Sequence, residues 1–282
     1  MLTKWQGLFC LVYVILTTQP LHAKLLFCFA DHWAERSEHS CFHLNELCNQ
    51  TTGRIIKRPD LLGPLCVKSV WEALAELEGF TLRDHTVLIS KTADCYKSYY
   101  NEVSQTTFVK DLPSCRSQLD YIEVVFHEIS HGIINDRAYY CNKFGEIGVT
   151  VQLGLGLLKH GDHHSTENDP SSKTASGFAF HEGFGYFLAR RLIRKTRKDF
   201  QGQSTRSDWS EELAYENQSL ISTNVDYNEL LTQIAFLELE KKHPIKKILE
   251  AVCFPYGFSY TQVKEKLESN GTCREDYFSM PF

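Results

Sequence analysis

The stretch SQLDYIEVVFHEISHGI, residues 117–133, decides how the centre of this chain folds. Its apolar residues recur at helical spacing and form one stripe of an amphipathic helix, namely Leu119, Ile122, Phe126, Ile129 and Ile133. Ser117 and Asp120 form a capping pair at its start. The pattern predicts a helix over about residues 117–135.

Two histidines on this helix, His127 and His131, are four residues apart. At about 100° per residue they lie about 40° apart around the helix axis, on a face adjacent to the apolar stripe. Imidazoles one turn apart can bind a single metal ion, and Glu128 beside them can take a proton from a zinc-activated water. The motif predicts one catalytic Zn²⁺ held by His127 and His131, with Glu128 as the general base.

A catalytic zinc needs a third protein ligand as well as an open position for water. A metzincin would place a glycine and a further histidine where this chain has Ile134 and Arg137, which excludes that class. Glu182 is the better candidate, because it opens a second strong helix, about residues 180–197, and an acidic residue is favoured in a first turn. The chain after His131 is long enough to leave the first helix and return on the second.

The stretch HEGFG, residues 181–185, resembles the Asn-Glu-Gly-Phe-Ala signature around the glutamate ligand of aminopeptidases in the gluzincin superfamily. His181 stands where asparagine is usual, and Gly185 stands where alanine is usual. The Gly-x-Met-x-Asn motif by which those enzymes bind a substrate's amino terminus is absent, because the only methionines are Met1 and Met280. The resemblance therefore gives no support to aminopeptidase specificity.

The gluzincin resemblance covers the two motif helices, about residues 117–135 and 180–192. It implies a zinc site made of His127, His131 and Glu182, with Glu128 as general base. It also implies a zincin-like α+β fold. In that fold the active-site helix lies between a mixed N-terminal lobe with a small sheet and a helical C-terminal lobe.

Other parts of the chain agree with an α+β fold. A helix is expected from Pro64 to Gly79, and a strand at residues 86–89. Polar loops and short strands are expected over residues 91–113, a strand or glycine-rich turn over 145–158, and a surface loop over 159–176. Further helices are expected at residues 226–241, 244–252 and 260–269.

The N-terminus is typical of a secretory signal peptide. Lys4 precedes the apolar run of residues 8–16, and Ala23 offers a small residue at the expected cleavage point. The run is shorter than the roughly 20 apolar residues of a membrane-spanning helix. The predicted organisation is a signal peptide at 1–23, a disulfide-tied N-terminal segment at 24–60 and a zincin-like metallopeptidase domain at 61–282.

The cysteines support export to an oxidising compartment. The chain has ten, and nine remain once Cys10 leaves with the signal peptide. Their pairing cannot be read from spacing. An odd thiol could be buried, join two chains, or occupy the fourth zinc position and keep the enzyme latent. Three sequons suggest surface N-glycans, at Asn49, Asn217 and Asn270.

The predicted function is that of a secreted, extracellular zinc metallopeptidase that hydrolyses peptide bonds of extracellular proteins or peptides, and the endopeptidase mode is favoured. The net charge of −5 gives no sign of nucleic-acid binding, and no later stretch is apolar enough to span a membrane. The alternative is a catalytically inactive binding or signalling protein on a metallopeptidase scaffold. Glu128 argues against this alternative, because a structural zinc has no use for it.

Several residues keep more than one interpretation. An oxyanion donor is expected downstream, and the candidates are Tyr215, Tyr227, Tyr256, Tyr260 and His243. Tyr186 is either a support for the metal ligands or a packed aromatic residue. His160, His163 and His164 fit a solvated loop, or else a lid or second metal site. The basic run from Arg190 to Lys198 is interpreted as a solvated helix face, or else as a surface for an acidic partner.

Overall fold

The protein is described by a computed structural model that shows an α+β architecture. The structure describes residues 24–30, 40–47, 63–90, 98–101, 104–110, 115–141, 176–205, 208, 216, 219, 221–252 and 259–269. The predicted signal peptide, the asparagines of the three glycosylation sequons and the loop histidines at 160, 163 and 164 lie outside these residues. Within these ranges, no helix combines the length and apolarity needed to cross a bilayer.

The described residues contain one mixed sheet of five strands. The strands are β1 (Leu25–Ala30), β2 (Ser40–His43), β3 (His85–Ser90), β4 (Tyr99–Asn101) and β5 (Thr106–Lys110). Their order is β2-β1-β3-β5-β4, with β1, β3 and β5 parallel and the two outer strands antiparallel. The structure confirms the strand predicted at residues 86–89 and the short strands within 91–113.

Strands β1 and β2 lie in the predicted disulfide-tied segment and belong to the same sheet as the later strands. Cys28 and Cys41 pair directly across them and form a disulfide. A cross-link closing a loop of this size stabilises a fold by about 3 kcal/mol. Cys66 and Cys115 are also disulfide-bonded.

Side-chain alternation gives the sheet two different faces. One face packs into the main core with the helices, through Leu25, Phe27, Val87, Ile89 and Val109. The other face carries a smaller cluster of Cys28, Leu88 and Phe108. His85 and Thr107 have the parity of the first face, so the sheet directs both toward the helices.

The helices are mostly those that the sequence predicts. They are α1 (Leu44–Leu47), α2 (Lys68–Glu78), α3 (Gln118–Cys141), α4 (Ser176–Thr196), α5 (Ile221–Asn224), α6 (Glu229–Glu240), α7 (Ile245–Ala251) and α8 (Tyr260–Glu268). A 3₁₀ turn at Pro64–Cys66 precedes α2. At the start of α3 the Ser117 hydroxyl accepts a hydrogen bond from the Asp120 backbone N–H at 3.0 Å. The predicted cap is thereby confirmed.

Helix α3 lies between the sheet and the later helices, since it contacts β4 and β5 as well as α4. Helix α4 in turn packs on α6 through an aromatic cluster: Phe180, Phe184 and Phe187 surround Phe236, with Phe184 and Phe236 ring centroids 4.8 Å apart. Each such pair adds about 0.5–1.5 kcal/mol beyond area burial. The packing therefore gives α4 and α6 a firm mutual position.

Candidate metal centre

His127 and His131 lie on one side of α3, as their spacing predicts, and both are buried. Their Nε2 atoms are 3.0 Å apart, and their rings meet edge to face with centroids separated by 4.4 Å. Two imidazole nitrogens this close together could both coordinate a single metal ion.

Glu182 on α4 faces both histidines. Its Oε2 lies 3.2 Å from His127 Nε2, and its Oε1 lies 3.6 Å from His131 Nε2. The ligand atoms of the three residues all lie within 4.8 Å of one another, so the group could hold a metal ion. One carboxylate and two imidazoles are a donor set used by catalytic zinc sites.

The position of Glu182 within its helix differs from the prediction. Helix α4 begins at Ser176, so Glu182 lies well past the first turn, and that turn has no acidic residue. The attraction between a carboxylate and a helix N-terminus is confined to the first turn and does not act here. The histidines of α3 are instead what favour a carboxylate at this position.

The neighbours of Glu182 on α4 pack against the two histidines. The His181 ring is stacked on the His131 ring, with centroids 4.2 Å apart and an interplanar angle of 3°. The Tyr186 ring lies 4.1 Å from the His127 ring. Each imidazole is therefore held by an aromatic neighbour. The contact of Tyr186 with His127 agrees with the interpretation of Tyr186 as a support for the metal ligands.

Gly185 lets the two helices approach at this point. A Cβ atom here would lie 3.0 Å from His131 Cε1 and 3.1 Å from His127 Nδ1. The Nδ1 atoms of both histidines are buried and have no hydrogen-bond partner among the described residues. Ring packing, rather than an Nδ1 hydrogen bond, sets the orientation of these imidazoles.

The electrostatics of the site distinguish the two glutamates. Burial would raise the pKa of Glu182, but attraction to His131 and hydrogen bonds from His127 and His131 outweigh it and hold the pKa well below its ordinary value. Burial raises the pKa of Glu128 to about 8, although the Tyr100 backbone N–H donates a hydrogen bond to this carboxylate. A cation held by the three-residue group would lower the pKa of Glu128, because opposite charge favours the ionised form.

His181 is neutral over the physiological range. Burial, followed by the neighbouring charge of His131, lowers the pKa of His181 to about 3. Its Nε2 has no hydrogen-bond partner among the described residues. A neutral ring stacked on His131 adds packing without adding positive charge beside a group that could hold a metal ion.

The candidate oxyanion donors among the residues that the structure describes lie in different places. Helix α6 runs alongside α4 in the same direction, because Gly183 abuts Glu229 and Arg191 pairs with Glu240. Tyr227 precedes α6 at the end near Gly183, whereas His243 follows it at the far end. Tyr260 packs on Phe236 within the core, and burial raises the pKa of Tyr260 to about 12. Tyr215 and Tyr256 lie outside the described residues.

The basic run on α4 is not simply a solvated face. Arg190 is buried, and its guanidinium lies 2.7 Å from the Asp208 carboxylate. Arg191 pairs with Glu76 at 2.5 Å and also with Glu240. The prediction was wrong for these two residues, because they connect α4 to α2, α6 and the segment after α4.

Sequence reasoning missed the residues that contact the Glu128 side of α3. Thr107 Oγ1 donates to the Glu128 backbone carbonyl at 3.2 Å, and His85 Nε2 lies 2.8 Å from the same hydroxyl. No local pattern marks these residues, because the pairing of β3 with β5 brings them together.

Comparison with known proteins adds no relative: no family model, curated protein or solved structure matches the chain. Function is therefore inferred from the geometry and chemistry of the residues themselves.

Proposed function

We propose that the protein is a secreted, gluzincin-type zinc peptidase that hydrolyses peptide bonds in extracellular proteins or peptides. The observation that carries the proposal is the convergence of His127, His131 and Glu182 from two helices, with Glu128 beside them. A structural zinc site normally closes its coordination with a fourth protein ligand, whereas three protein ligands are typical of a catalytic site.

The donor atoms support zinc as the metal. Two imidazole nitrogens and one carboxylate oxygen suit this borderline-soft ion better than Mg²⁺ or Ca²⁺, which prefer oxygen ligands. When bound, zinc supplies Lewis-acid chemistry that polarises a carbonyl and activates water. The low pKa of Glu182 keeps its carboxylate ionised and ready to bind a cation.

Glu128 is proposed as the general base. Its carboxylate is buried beside the ligand group and takes a hydrogen bond from the Tyr100 backbone N–H. In that position it accepts a proton from the attacking water and passes it to the leaving amine. Because it is not one of the three metal-binding side chains, it stays available for proton transfer.

The fold and compartment form part of the same proposal. A helix bearing two histidines lies beside a mixed sheet, and a second helix bears the glutamate. This arrangement supports a zincin-like domain over residues 61–282, whose sheet also includes β1 and β2 of the N-terminal segment. The disulfide between Cys28 and Cys41 supports folding in an oxidising compartment, as does disulfide bonding of Cys66 and Cys115.

The test is cleavage of a mixed peptide library by the purified secreted protein, with parallel measurement of bound zinc. We expect cleavage that a chelator abolishes and that added zinc restores. We expect Glu128→Gln to bind zinc but lose activity by at least about 10²-fold. The matched control is Glu72→Gln, which alters an exposed glutamate of α2 and should leave activity unchanged. A wild-type protein that binds zinc and cleaves nothing would contradict the proposal and favour the inactive binding protein.

A further inference from the structure

His85 is a buried histidine for which the proposed mechanism has no use. It is the first residue of β3 and is 2% exposed. Its ring packs directly on the backbone of α3, because a Cβ atom at Gly132 would lie 1.8 Å from His85 Cε1. Any larger residue after His131 would displace this ring, so the sequence His131-Gly132 is matched to His85.

The first connection from His85 reaches the backbone of Glu128. His85 Nε2 lies 2.8 Å from Thr107 Oγ1, and Thr107 Oγ1 lies 3.2 Å from the Glu128 carbonyl oxygen. A threonine hydroxyl has one proton to give, and the carbonyl can only accept. Thr107 therefore donates to Glu128, and His85 must donate to Thr107 through a protonated Nε2.

The second connection reaches the Glu128 carboxylate. The His85 ring is stacked on the Tyr100 ring, with centroids 5.3 Å apart and an interplanar angle of 17°. The backbone N–H of Tyr100 donates to the Glu128 carboxylate. Tyr100 and Thr107 are direct partners in the register of β4 and β5. One imidazole thus contacts both residues that bind Glu128.

We infer that His85 is a positioning residue for Glu128, acting through Thr107 on its backbone and through Tyr100 on its carboxylate. The inference rests on the proposed function, because positioning matters only if Glu128 transfers a proton. A displacement of about 1 Å in a reacting group can cost about 10²-fold in rate. Burial lowers the pKa of His85 to about 4, so its ring stays neutral at physiological pH, and the hydrogen bond with Thr107 determines which ring nitrogen carries the proton.

The tautomer can be measured without any activity assay. Long-range ¹H–¹⁵N correlation spectra of the full secreted chain report which ring nitrogen of His85 carries the proton. We expect a protonated Nε2, together with slow hydrogen exchange at the Tyr100 amide. A protonated Nδ1 with a bare Nε2 would overturn the inference, even for a protein that proves to have no peptidase activity.

Variants of Thr107 separate positioning from simple stability. We expect Thr107→Val to lower kcat by about 10-fold to 100-fold, with KM and zinc stoichiometry unchanged and Tyr100 amide exchange accelerated. Thr107→Ser keeps the hydroxyl, so its kcat and its Tyr100 amide exchange rate should match those of the wild type. The matched control is Thr106→Val, since Thr106 is on the opposite face of β5 and donates to Ser104 instead.

Unchanged kcat and unchanged Tyr100 amide exchange in Thr107→Val would overturn the inference that His85 positions Glu128. If wild-type protein cleaves no peptide, the proposed function fails, and the tautomer and the exchange rate still decide whether His85 positions Glu128. If Thr107→Val does not fold, the tautomer of the wild-type chain decides alone.

Discussion

Gly185 lies against His131 so closely that a Cβ atom on the glycine would be 3.0 Å from His131 Cε1. The same Cβ atom would be 3.1 Å from His127, so the backbone of α4 contacts both predicted ligands. Glycine at this position therefore fits the close approach of the two helices.

Gly185→Ala should therefore weaken zinc binding. The added methyl group must push both imidazoles by a few tenths of an ångström, and disturbing the supports of metal ligands costs about 10–100-fold in affinity. Competition with a chelating dye measures the change. Gly177→Ala is the control, because nothing lies within 4 Å of the corresponding Cβ position. Equal zinc affinities for the Gly185 variant and the wild type would contradict this account of helix packing.

Gly183→Ala should destabilise the fold itself. A Cβ atom at Gly183 would lie 2.6 Å from the Glu229 carbonyl oxygen and 2.6 Å from Thr232 Cβ, neither of which can rotate away. Overpacking of this kind costs about 1–3 kcal/mol. Urea unfolding measures the loss, again with Gly177→Ala as the matched control. A stability equal to that of wild type would show that α6 does not pack on α4 in this way.

Stability should fall at acidic pH because of His85. Burial lowers the pKa of His85 from 6.5 to about 4 in the folded chain. Below pH 6.5 His85 binds a proton in the unfolded chain but not in the folded chain. The free energy of unfolding therefore decreases as the pH falls toward 4. The loss from this residue amounts to about 1.6 kcal/mol between pH 6.5 and 5.

Urea unfolding of wild type and His85→Gln at both pH values isolates this effect. The variant has no ionisable group at position 85, so its stability should depend less on pH by the stated amount. Identical pH dependence in the two proteins would mean that His85 is not held neutral by burial.

Arg190 should contribute more to stability than the exposed cations of the same run. Its guanidinium lies 2.7 Å from Asp208 and 3.9 Å from the buried Glu123. Arg190→Met removes this cation from both carboxylates, although Asp208 keeps Arg197, and losing a hydrogen bond to a charged group costs about 1.5–3 kcal/mol. Lys198→Met, at an exposed position, is the control. Equal melting temperatures for the two variants would contradict the role assigned to Arg190.

The sequence predicted the motif helices well, for identifiable reasons. Helix α3 has a regular apolar stripe and a capping serine, Ser117, and these are local signals. Glu182 was found through a five-residue resemblance, and the structure brings it to both histidines. Helix α4 begins at Ser176, before the predicted start near residue 180, because Ser176-Gly177 carries no strong helix-start pattern.

The N-terminal strands and the surroundings of Glu128 escaped prediction because they depend on distant pairing. Residues 25–29 read as a continuous apolar run, which is typical of a strand buried in a parallel sheet but lacks alternation. His85 and Thr107 meet through the register of β3 and β5. Arg190 looked solvated because its partner Asp208 follows the helix and no helical spacing relates the two.

Anomalous diffraction at the zinc absorption edge, from crystals of the purified protein, would locate the bound metal. We expect one strong peak within about 2.0–2.2 Å of a nitrogen of His127, a nitrogen of His131 and a carboxylate oxygen of Glu182. Zinc-loaded crystals with no peak at these three residues, or with zinc bound only elsewhere on the chain, would contradict the proposed zinc site.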